Sequence, residues 1–325
     1  MPPSILRLDP RLERRLTAKK AQLDQYRPLP PDTVARLNAD LRVFLTYHSN
    51  ALEGNTLTLQ ETQIAIEYGM TTHGHPLREF LEATNHAEAY TLVTTLATER
   101  VPITRETILS LHSLVMSKIL DTAGQFRRVP VYIRGSNMTP PPVDQVEALM
   151  QEWVTWLDGD GQRYHPVVRA AIAHHGFEAV HPFTDGNGRV GRLLLNLTLM
   201  RVGYPPALVL RDRRVSYLEA LNRANTGNYA PLANLLGQAV EAGLDRYLEA
   251  CVVPAMLGLV PLHELAQATG YSVDYLGWLI RKGRLAARKQ DGRWHSSLEA
   301  IKRYQHEVAV GLAKRGRPKK VRPED

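Results

Sequence analysis

The most constraining feature of this sequence is the twelve-residue stretch His181-Pro-Phe-Thr-Asp-Gly-Asn-Gly-Arg-Val-Gly-Arg192. Gly186 and Gly188 free the backbone to point successive N–H groups into one concavity, which is an arrangement suited to an anion. The chain then becomes apolar with helical spacing, so the anion would lie at a helix N-terminus, where unpaired N–H groups favour negative charge. Arg189 and Arg192 are three residues apart and share one face of the first turn. Two guanidiniums beside one such loop predict a bound polyphosphate.

Two other side chains of this loop predict chemistry. Asp185 would repel phosphates unless a hard cation lies between them, and Mg²⁺ is commonly held by one carboxylate and substrate phosphate oxygens. His181 precedes a proline, and an imidazole with an ordinary pKa of about 6.5 can accept the proton of an attacking hydroxyl. Asp185 is therefore the predicted metal ligand and His181 the predicted general base. The alternatives are a plain turn with surface arginines, and a metal site at His174, Glu178 and His181, which share one helix face.

Most of the chain has apolar residues at spacings of three and four, which predicts helices between short Pro- and Gly-containing breaks. Clear examples span residues 34–47, 103–120, 143–156 and 167–180. Residues 129–133 are β-prone instead and are followed by Gly135 and three consecutive prolines, which predicts a short strand or hairpin with a stiff exit. The predicted fold class is mainly α, a helical core with a short β-hairpin flap.

A second unit begins near residues 253–254 and has the element order of a small winged helix-turn-helix. Its predicted elements are a helix over 262–268, a turn at Gly270, a helix from Ser272, strands on both sides of Asp291-Gly292, and a last helix opened by Ser296 with Glu299. The final residues, from Lys314 to Asp325, are too polar to fold alone.

Positive charge is concentrated in this C-terminal region. From Leu276 to the end there are fourteen Lys and Arg against five Asp and Glu, a net +9, which leaves about −2 elsewhere because the chain totals +7. A near-neutral body with a basic end predicts a polyanion-binding tail. The residues predicted to bind DNA phosphates are Arg281, Lys282, Arg284, Arg288, Lys289, Arg293, Arg315 and Arg317. Residues 314–320 resemble an AT-hook core. The alternatives are a solvated basic face and a solubilising tail.

Composition narrows the class of protein further. The length of 325 residues suits one main domain with small appendages. Cys251 is the only cysteine, so an internal disulfide is excluded, and we expect it to be a buried apolar residue rather than a nucleophile. The sequence has neither the roughly 18 uninterrupted apolar residues of a membrane helix nor the apolar centre of a signal peptide. We therefore expect a cytoplasmic protein.

The stretch from His181 to Arg192 resembles the signature His-Pro-Phe-x-Asp-Gly-Asn-Gly-Arg-x-x-Arg of Fic-domain proteins and matches it completely. The resemblance extends over about residues 49–236. It implies that His181 is the general base, that Asp185 holds Mg²⁺, and that the loop binds ATP. The usual reaction of that family transfers AMP from ATP to Ser, Thr or Tyr of a target protein. The nucleotide-binding residues implied in this loop are Asp185, Gly186, Asn187, Gly188, Arg189, Val190, Gly191 and Arg192.

Residues 49–54 resemble the family's inhibitory motif, Ser/Thr-x-x-x-Glu-Gly/Asn, with Ser49, Glu53 and Gly54 at its defined positions. The resemblance implies that Glu53 pairs with Arg192 and keeps it from the γ-phosphate. A glutamate in the last turn of a helix also faces the unfavourable end of the helix dipole, which indicates that a cation elsewhere binds it. A plain surface glutamate is the alternative.

The segment 129–133 resembles the family's flap, which lies over the nucleotide and pairs with the backbone of the target protein. The alternative is a packed hairpin. The resemblance implies nucleotide contacts from Ile133, Arg134, Gly135 and Ser136. Tyr217 and the segment 224–227 resemble the adenine side of the family's site, which implies contacts from Tyr217 and Asn225.

Five regions follow: an N-terminal helical region with the inhibitory helix (1–102), a Fic core (103–240), a linker (241–254), the winged helix-turn-helix (255–306) and a basic tail (307–325). The predicted function is Mg²⁺-dependent protein adenylylation from ATP, restrained by Glu53, with a target protein or the chain itself as acceptor, DNA as a second partner, and a homodimer left open. The alternatives are removal of AMP from a target, with Glu53 orienting a water, and a DNA-binding regulator whose core senses nucleotide. Transfer of another phosphate-linked group is also open.

Overall fold

The computed structural model describes residues 7–71, 74–133, 135–136, 138–257, 259–290 and 292–309. The chain forms two compact units, divided between Tyr247 and Leu248. The helices before residue 258 are α1 Pro10–Asp24, α2 Pro31–Leu52, α3 Leu59–Tyr68, α4 Leu77–Thr98, α5 Arg105–Val115, α6 Val146–Asp158, α7 Pro166–Val180, α8 Asn187–Met200, α9 Arg214–Ala224 and α10 Ala230–Leu257. Short 3₁₀ helices span Val143–Gln145, Asp160–Arg163 and Arg211–Arg213. The mainly helical fold is therefore confirmed, and the predicted linker at 241–254 lies inside α10.

Helix α8 is the centre of the first unit. It packs against α4, α5 and α7, and every residue from Arg189 to Leu199 is buried. A helix enclosed in this way needs apolar side chains on all sides rather than along one stripe, and five leucines after Arg192 supply most of them, while its buried polar side chains need partners. The first turns of α8 are therefore held in place by the surrounding helices.

The loop that joins α7 to α8 begins at His181 and ends at Gly186, and both of these residues have a positive φ. His181 takes a left-handed conformation, with φ 49° and ψ 59°, and ends α7 directly before Pro182. Gly186, with φ 82°, precedes the first turn of α8, and a Cβ at this position would lie 2.8 Å from Met116 Sδ. The backbone thus requires glycine at position 186 for both conformation and space.

The predicted flap differs from expectation. No described residue between 126 and 142 belongs to a β-strand, so residues 129–133 do not form the short strand or hairpin that their composition favours. The prolines at 140–142 have no N–H to donate to a ladder. Instead the guanidinium of Arg127 binds both ends of the segment, donating to the carbonyls of Val129 at 3.4 Å and Pro141 at 2.6 Å. Tyr132 in this segment is 88% exposed.

The second unit contains β1 Val260–Pro261, α11 Leu262–Thr269, α12 Val273–Arg281, β2 Ala287–Gln290, β3 Arg293–Ser296 and α13 Leu298–Ala309. Its antiparallel sheet has the order β1-β3-β2. Leu265, Leu276, Leu279 and Ile301 lie in its core. The predicted helices and hairpin strands are therefore present at their predicted places.

The cap of α13 is shifted by one residue from the prediction. Ser297 Oγ accepts from the amide of Ala300 at 3.1 Å, whereas Ser296 is the last residue of β3 and donates its hydroxyl to the carbonyl of Ala286 at 2.6 Å. The strand pairing of Ser296 prevents it from acting as the N-cap.

Some predicted features lie outside the described residues: Arg134, Asp291, Arg315 and Arg317 among the site and turn residues, and the basic tail from residue 310 onwards. Cys251 is buried, as its apolar interpretation requires. Within the described part of the chain, no helix combines the length and apolar character needed to cross a lipid bilayer.

Because α8 is enclosed on all sides, truncating one of its leucines should leave a cavity that neighbouring helices cannot fill. We expect Leu197→Ala to lower the free energy of unfolding by about 2–5 kcal/mol. Leu77→Ala is the control, because Leu77 is 65% exposed, and it should change stability by less than about 0.5 kcal/mol. Chemical denaturation of both variants measures the difference, and equal effects would contradict the central position of α8.

Candidate functional site

A cavity of about 390 Å³ lies beside the loop between α7 and α8. Its wall is formed by the end of α2, the flap segment, α7, the start of α8, and α9. The volume is within the range of about 300–1,000 Å³ that is usual for small-molecule sites. Ten of the predicted site residues line it: Glu53, Ile133, Gly135, Ser136, His181, Asp185, Gly188, Arg192, Tyr217 and Asn225.

His181 faces this cavity with one ring nitrogen already engaged. Its Nδ1 lies 3.3 Å from the carbonyl of Glu178, an acceptor, so Nδ1 carries the hydrogen and Nε2 keeps the lone pair. Burial lowers the pKa of His181 below its ordinary value, and this outweighs the contact with the Glu178 carbonyl, which acts in the opposite direction. The imidazole is therefore neutral near pH 7 and able to accept a proton through Nε2.

The start of α8 offers unpaired backbone donors. Among the described residues, none accepts a hydrogen bond from the amides of Asn187, Gly188 and Arg189, as expected for the first turn of a helix. The side chain of Asn187 does not line the cavity. Its Oδ1 accepts from the amide of Phe183 at 2.9 Å, and its Nδ2 donates to the Phe183 carbonyl at 2.8 Å. This reciprocal pair fixes the loop so that the amides point in a defined direction.

Asp185 is an ionised carboxylate at the edge of the cavity. Oδ1 accepts from the amide of Gly186 at 2.6 Å and Oδ2 pairs with Arg78. Burial alone would raise the pKa of Asp185, but Arg189, the Gly186 amide and Arg78 together keep it below its ordinary value. Its side chain is 42% exposed. One ionised, accessible carboxylate beside room for phosphates fits a Mg²⁺ ion held by one side chain and substrate oxygens.

The two arginines of the loop have different surroundings. Arg189 is only 2% exposed, and its Nη1 lies 3.0 Å from Glu82 Oε1 of α4. Its guanidinium does not line the cavity, contrary to the prediction that both arginines face one anion. Glu82 of α4 therefore balances the buried charge of Arg189. Of these two arginines, Arg192 is the one that lines the cavity.

Helix α2 holds Arg192 through three hydrogen bonds. Nε donates to Ser49 Oγ at 2.9 Å, and Nη2 donates to the Ser49 carbonyl and to Glu53 Oε1, each at 2.8 Å. Burial would raise the pKa of Glu53, but the charge of Arg192 and this hydrogen bond lower it, so the carboxylate is ionised. Gly54, with φ 99°, turns the chain directly after Glu53. A Cβ on Gly188 would overlap Glu53 Oε1, so this approach also requires glycine at position 188.

Sequence reasoning missed Arg127, which is 4% exposed and donates to the His181 carbonyl at 2.9 Å. Burial lowers its pKa. The same guanidinium binds the flap, so one side chain connects the flap with the catalytic loop. No local pattern in the sequence marks it. Asn222 also lines the cavity and donates to the Gly135 carbonyl at 3.2 Å, which holds α9 beside the flap.

Glu178 has a role that its spacing does not indicate. The alternative metal site with His174 and His181 finds no support: within the described residues, no group of three or more His, Cys, Asp or Glu is arranged to hold a metal. His174 uses both ring nitrogens, on Tyr217 Oη at 2.6 Å and the Gly191 carbonyl at 3.1 Å. Glu178 lines the cavity, and burial raises its pKa to about 8. Gly191 leaves the space that this carboxyl occupies, because a Cβ there would overlap Glu178 Oε1.

The helical fold brings a neutral histidine, an ionised carboxylate and the first turn of α8 to one cavity. Residues 102–199 match the Fic/DOC family. The protein adenylyltransferase Fic of Drosophila melanogaster is 35% identical over 240 residues, which cover 73% of this chain and 48% of that protein. A solved Fic structure from C. elegans is 32% identical, with a TM-score of 0.67, covering 75% of this chain and 73% of that one.

A Fic family protein from Desulfovibrio desulfuricans G20 is 26% identical, with a TM-score of 0.62, over 91% of this chain and 98% of that one. The chain belongs to the Fic/DOC family. It spans about half the length of the curated relatives it matches.

The raised pKa of Glu178 predicts a pH dependence of stability. Between its ordinary value of 4.5 and about 8, the folded state holds a proton that the unfolded state has lost, so the contribution of Glu178 to stability decreases as pH rises through this window. Glu178→Gln removes the titration and keeps the shape. We expect the Tm of the variant to rise relative to wild type from pH 5 to pH 8, measured by thermal unfolding. A constant difference would show that Glu178 is ionised in the folded protein.

Proposed function

We propose that this chain is a Mg²⁺-dependent protein adenylyltransferase, which transfers AMP from ATP to a Ser, Thr or Tyr hydroxyl of a target protein or of itself. The observation that carries the proposal is that one cavity contains a neutral His181, Arg192 and the unpaired amides of α8. His181 can act as the base of this reaction, and Arg192 and the amides can bind the phosphates of ATP. The relatives named protein adenylyltransferase support the same activity.

In this proposal the amides of Asn187, Gly188 and Arg189 bind nucleotide phosphates at the positive end of α8. Asp185 holds Mg²⁺, which neutralises phosphate charge. Tyr217 and Asn225 lie on the α9 side of the cavity, next to Ile133, Gly135 and Ser136 of the flap, and they contact the nucleoside. The phosphate and nucleoside sites are therefore continuous within one cavity.

His181 acts on the incoming hydroxyl. Nε2 accepts its proton, the hydroxyl oxygen forms a bond to the α-phosphorus of ATP, and the bond from that phosphorus to the bridging oxygen breaks, so pyrophosphate leaves. The Nδ1 hydrogen bond to the Glu178 carbonyl fixes the imidazole in the tautomer that this step requires.

Glu53 restrains the reaction in this proposal. Its carboxylate lies 2.8 Å from Arg192 Nη2 and contributes a negative charge where a terminal phosphate would need a cation. A triphosphate must therefore displace Glu53 from Arg192 or bind in an altered position. If Glu53 stays on Arg192, repulsion between its carboxylate and the terminal phosphate keeps ATP out of the position needed for transfer.

The second unit supports an additional proposal of DNA binding. Arg288 is paired across the hairpin with His295, and Arg293 lies two residues before His295 in β3, so all three share one face of the sheet. Arg281, Lys282 and Lys289 are exposed. A two-helix pair followed by a basic hairpin is the arrangement of a winged helix on DNA. Phosphate contacts from these residues would give affinity with steep salt dependence.

Loss of Glu53 should release the restraint. We expect Glu53→Gly, incubated with labelled ATP and Mg²⁺, to incorporate more AMP into itself or a target than wild type does, because Arg192 becomes available. Glu99→Gly is a matched control, since Glu99 also follows the last residue of a long helix. Equal labelling of wild type and Glu53→Gly would reject the restraint.

The base assignment is tested in the Glu53→Gly background. Adding His181→Ala should lower the rate by about 10²–10⁴, while binding of a fluorescent ATP analogue persists. Because the neutral imidazole is the active form and its pKa is lowered, the rate should fall only below pH 6.5 as pH decreases. Unchanged labelling by the double variant would remove His181 from the reaction.

DNA binding is tested by replacing two exposed cations, one directly after α12 and one on the basic face of the hairpin. Lys282→Gln with Arg288→Gln should weaken binding and reduce the slope of log affinity against log salt by about 2, at about one per phosphate contact. Lys118→Gln, exposed in the other unit, should have no effect. The measurement is fluorescence anisotropy with duplex DNA at several salt concentrations, and an unchanged slope would exclude these contacts.

The same assays separate the two alternatives. Removal of AMP from a modified target by wild type, with no gain on loss of Glu53, would favour the reverse reaction. DNA binding that responds to ATP without a covalent product would favour a nucleotide-sensing regulator.

A further inference from the structure

A second cavity, of about 150 Å³, is lined by three guanidiniums. Arg169 belongs to the second turn of α7, while Arg100 and Arg201 lie just beyond the ends of α4 and α8. Twelve residues of α7 separate Arg169 from His181, which is on the order of 18 Å along a helix at about 1.5 Å per residue. None of the residues that line this cavity lines the cavity at His181. The two sites are therefore separate.

The positive charge in this second cavity is not balanced. Asp158 is its one acidic member, and Asp158 Oδ1 lies 3.7 Å from Arg201 Nη1 with a side chain that is 47% exposed. No carboxylate among the described residues lies within ion-pair distance of Arg169, whose Nη1 donates to the neutral amide oxygen of Gln162. Three guanidiniums against one carboxylate leave a net charge of about +2.

Arg169 is also buried, with an exposed fraction of 5%. Its Nε and that of Arg201 have no acceptor among the described residues. Burial and the nearby charge of Arg201 both lower the pKa of Arg169. A buried charge without a partner is strongly unfavourable, and protein interiors supply the missing partner as a counter-ion or ligand.

We propose that this cavity binds a phosphate group. The planar donor forks of guanidiniums match the oxygens of phosphate, and such pairs are often bidentate. An anion in this cavity would lie beside Arg169 and Arg201 and compensate the charge of Arg169, which has no carboxylate partner among the described residues. The volume is below the roughly 300 Å³ at which sites for larger molecules begin, which restricts the buried part of the ligand to one phosphate-sized anion.

The test compares thermal unfolding of the full chain in sodium phosphate and in sodium chloride at equal ionic strength. Phosphate should raise the Tm of wild type by about 2–4 °C at saturation. Arg201→Gln, at a partly exposed position, and Arg100→Gln, at an exposed position, should lose this rise, as should the more disruptive Arg169→Gln. Arg192→Gln is the control for the other cavity and should keep it.

Two results would overturn the proposal. One is the absence of a phosphate-specific rise in wild type, or its survival in both Arg201→Gln and Arg100→Gln. The other is its loss in Arg192→Gln, which would assign the binding to the cavity at His181. A parallel titration with glycerol 1-phosphate identifies the source, since equal rises support a phosphate on a larger molecule and a rise with inorganic phosphate alone supports the free anion.

Discussion

The structure of the first unit depends on the neutralisation of two guanidiniums inside one enclosed helix. Arg189 and Arg192 lie on α8, where a charge without a partner would be strongly destabilising. Two other helices each supply one carboxylate, Glu82 from α4 to Arg189 and Glu53 from α2 to Arg192. The packing of α2 and α4 and the charge state of the site are therefore parts of the same arrangement.

The two carboxylates differ in how they lie relative to the cavity, and the restraint proposed for Glu53 rests on this difference. Glu82 holds Arg189 within the protein, where it helps to keep Asp185 ionised. Glu53 approaches Arg192 from the cavity side and keeps 39% of its side chain exposed. In the proposed function, a polyanion that enters the cavity competes with the exposed Glu53 and leaves the enclosed pair of Glu82 and Arg189 in place.

Buried polar side chains give the catalytic loop its rigidity. Asn187 pairs with both backbone groups of Phe183, and Arg127 donates to the carbonyl of His181 while also binding the flap. Such fully used donors and acceptors specify one conformation. The histidine and the unpaired amides of α8 are thereby held at fixed positions before any ligand arrives.

The sequence by itself determined the features that rest on neighbouring residues. These are the glycines with positive φ, the proline after His181, the helices with their apolar spacing, and the hairpin of the second unit. Local patterns failed where a distant group decides the outcome. Residues 129–133 have strand-forming composition but no partner strand among the described residues, and they form no strand.

Tertiary structure alone decided which cation faces the cavity, how Glu178 titrates, and where Arg100, Arg169 and Arg201 meet. Each depends on helices far apart in the chain, because burial and Coulomb interactions act through space. A motif specifies which charges a loop carries. Only packing specifies the partner of each charge, which is Glu82 inside the protein for Arg189 and Glu53 beside the cavity for Arg192.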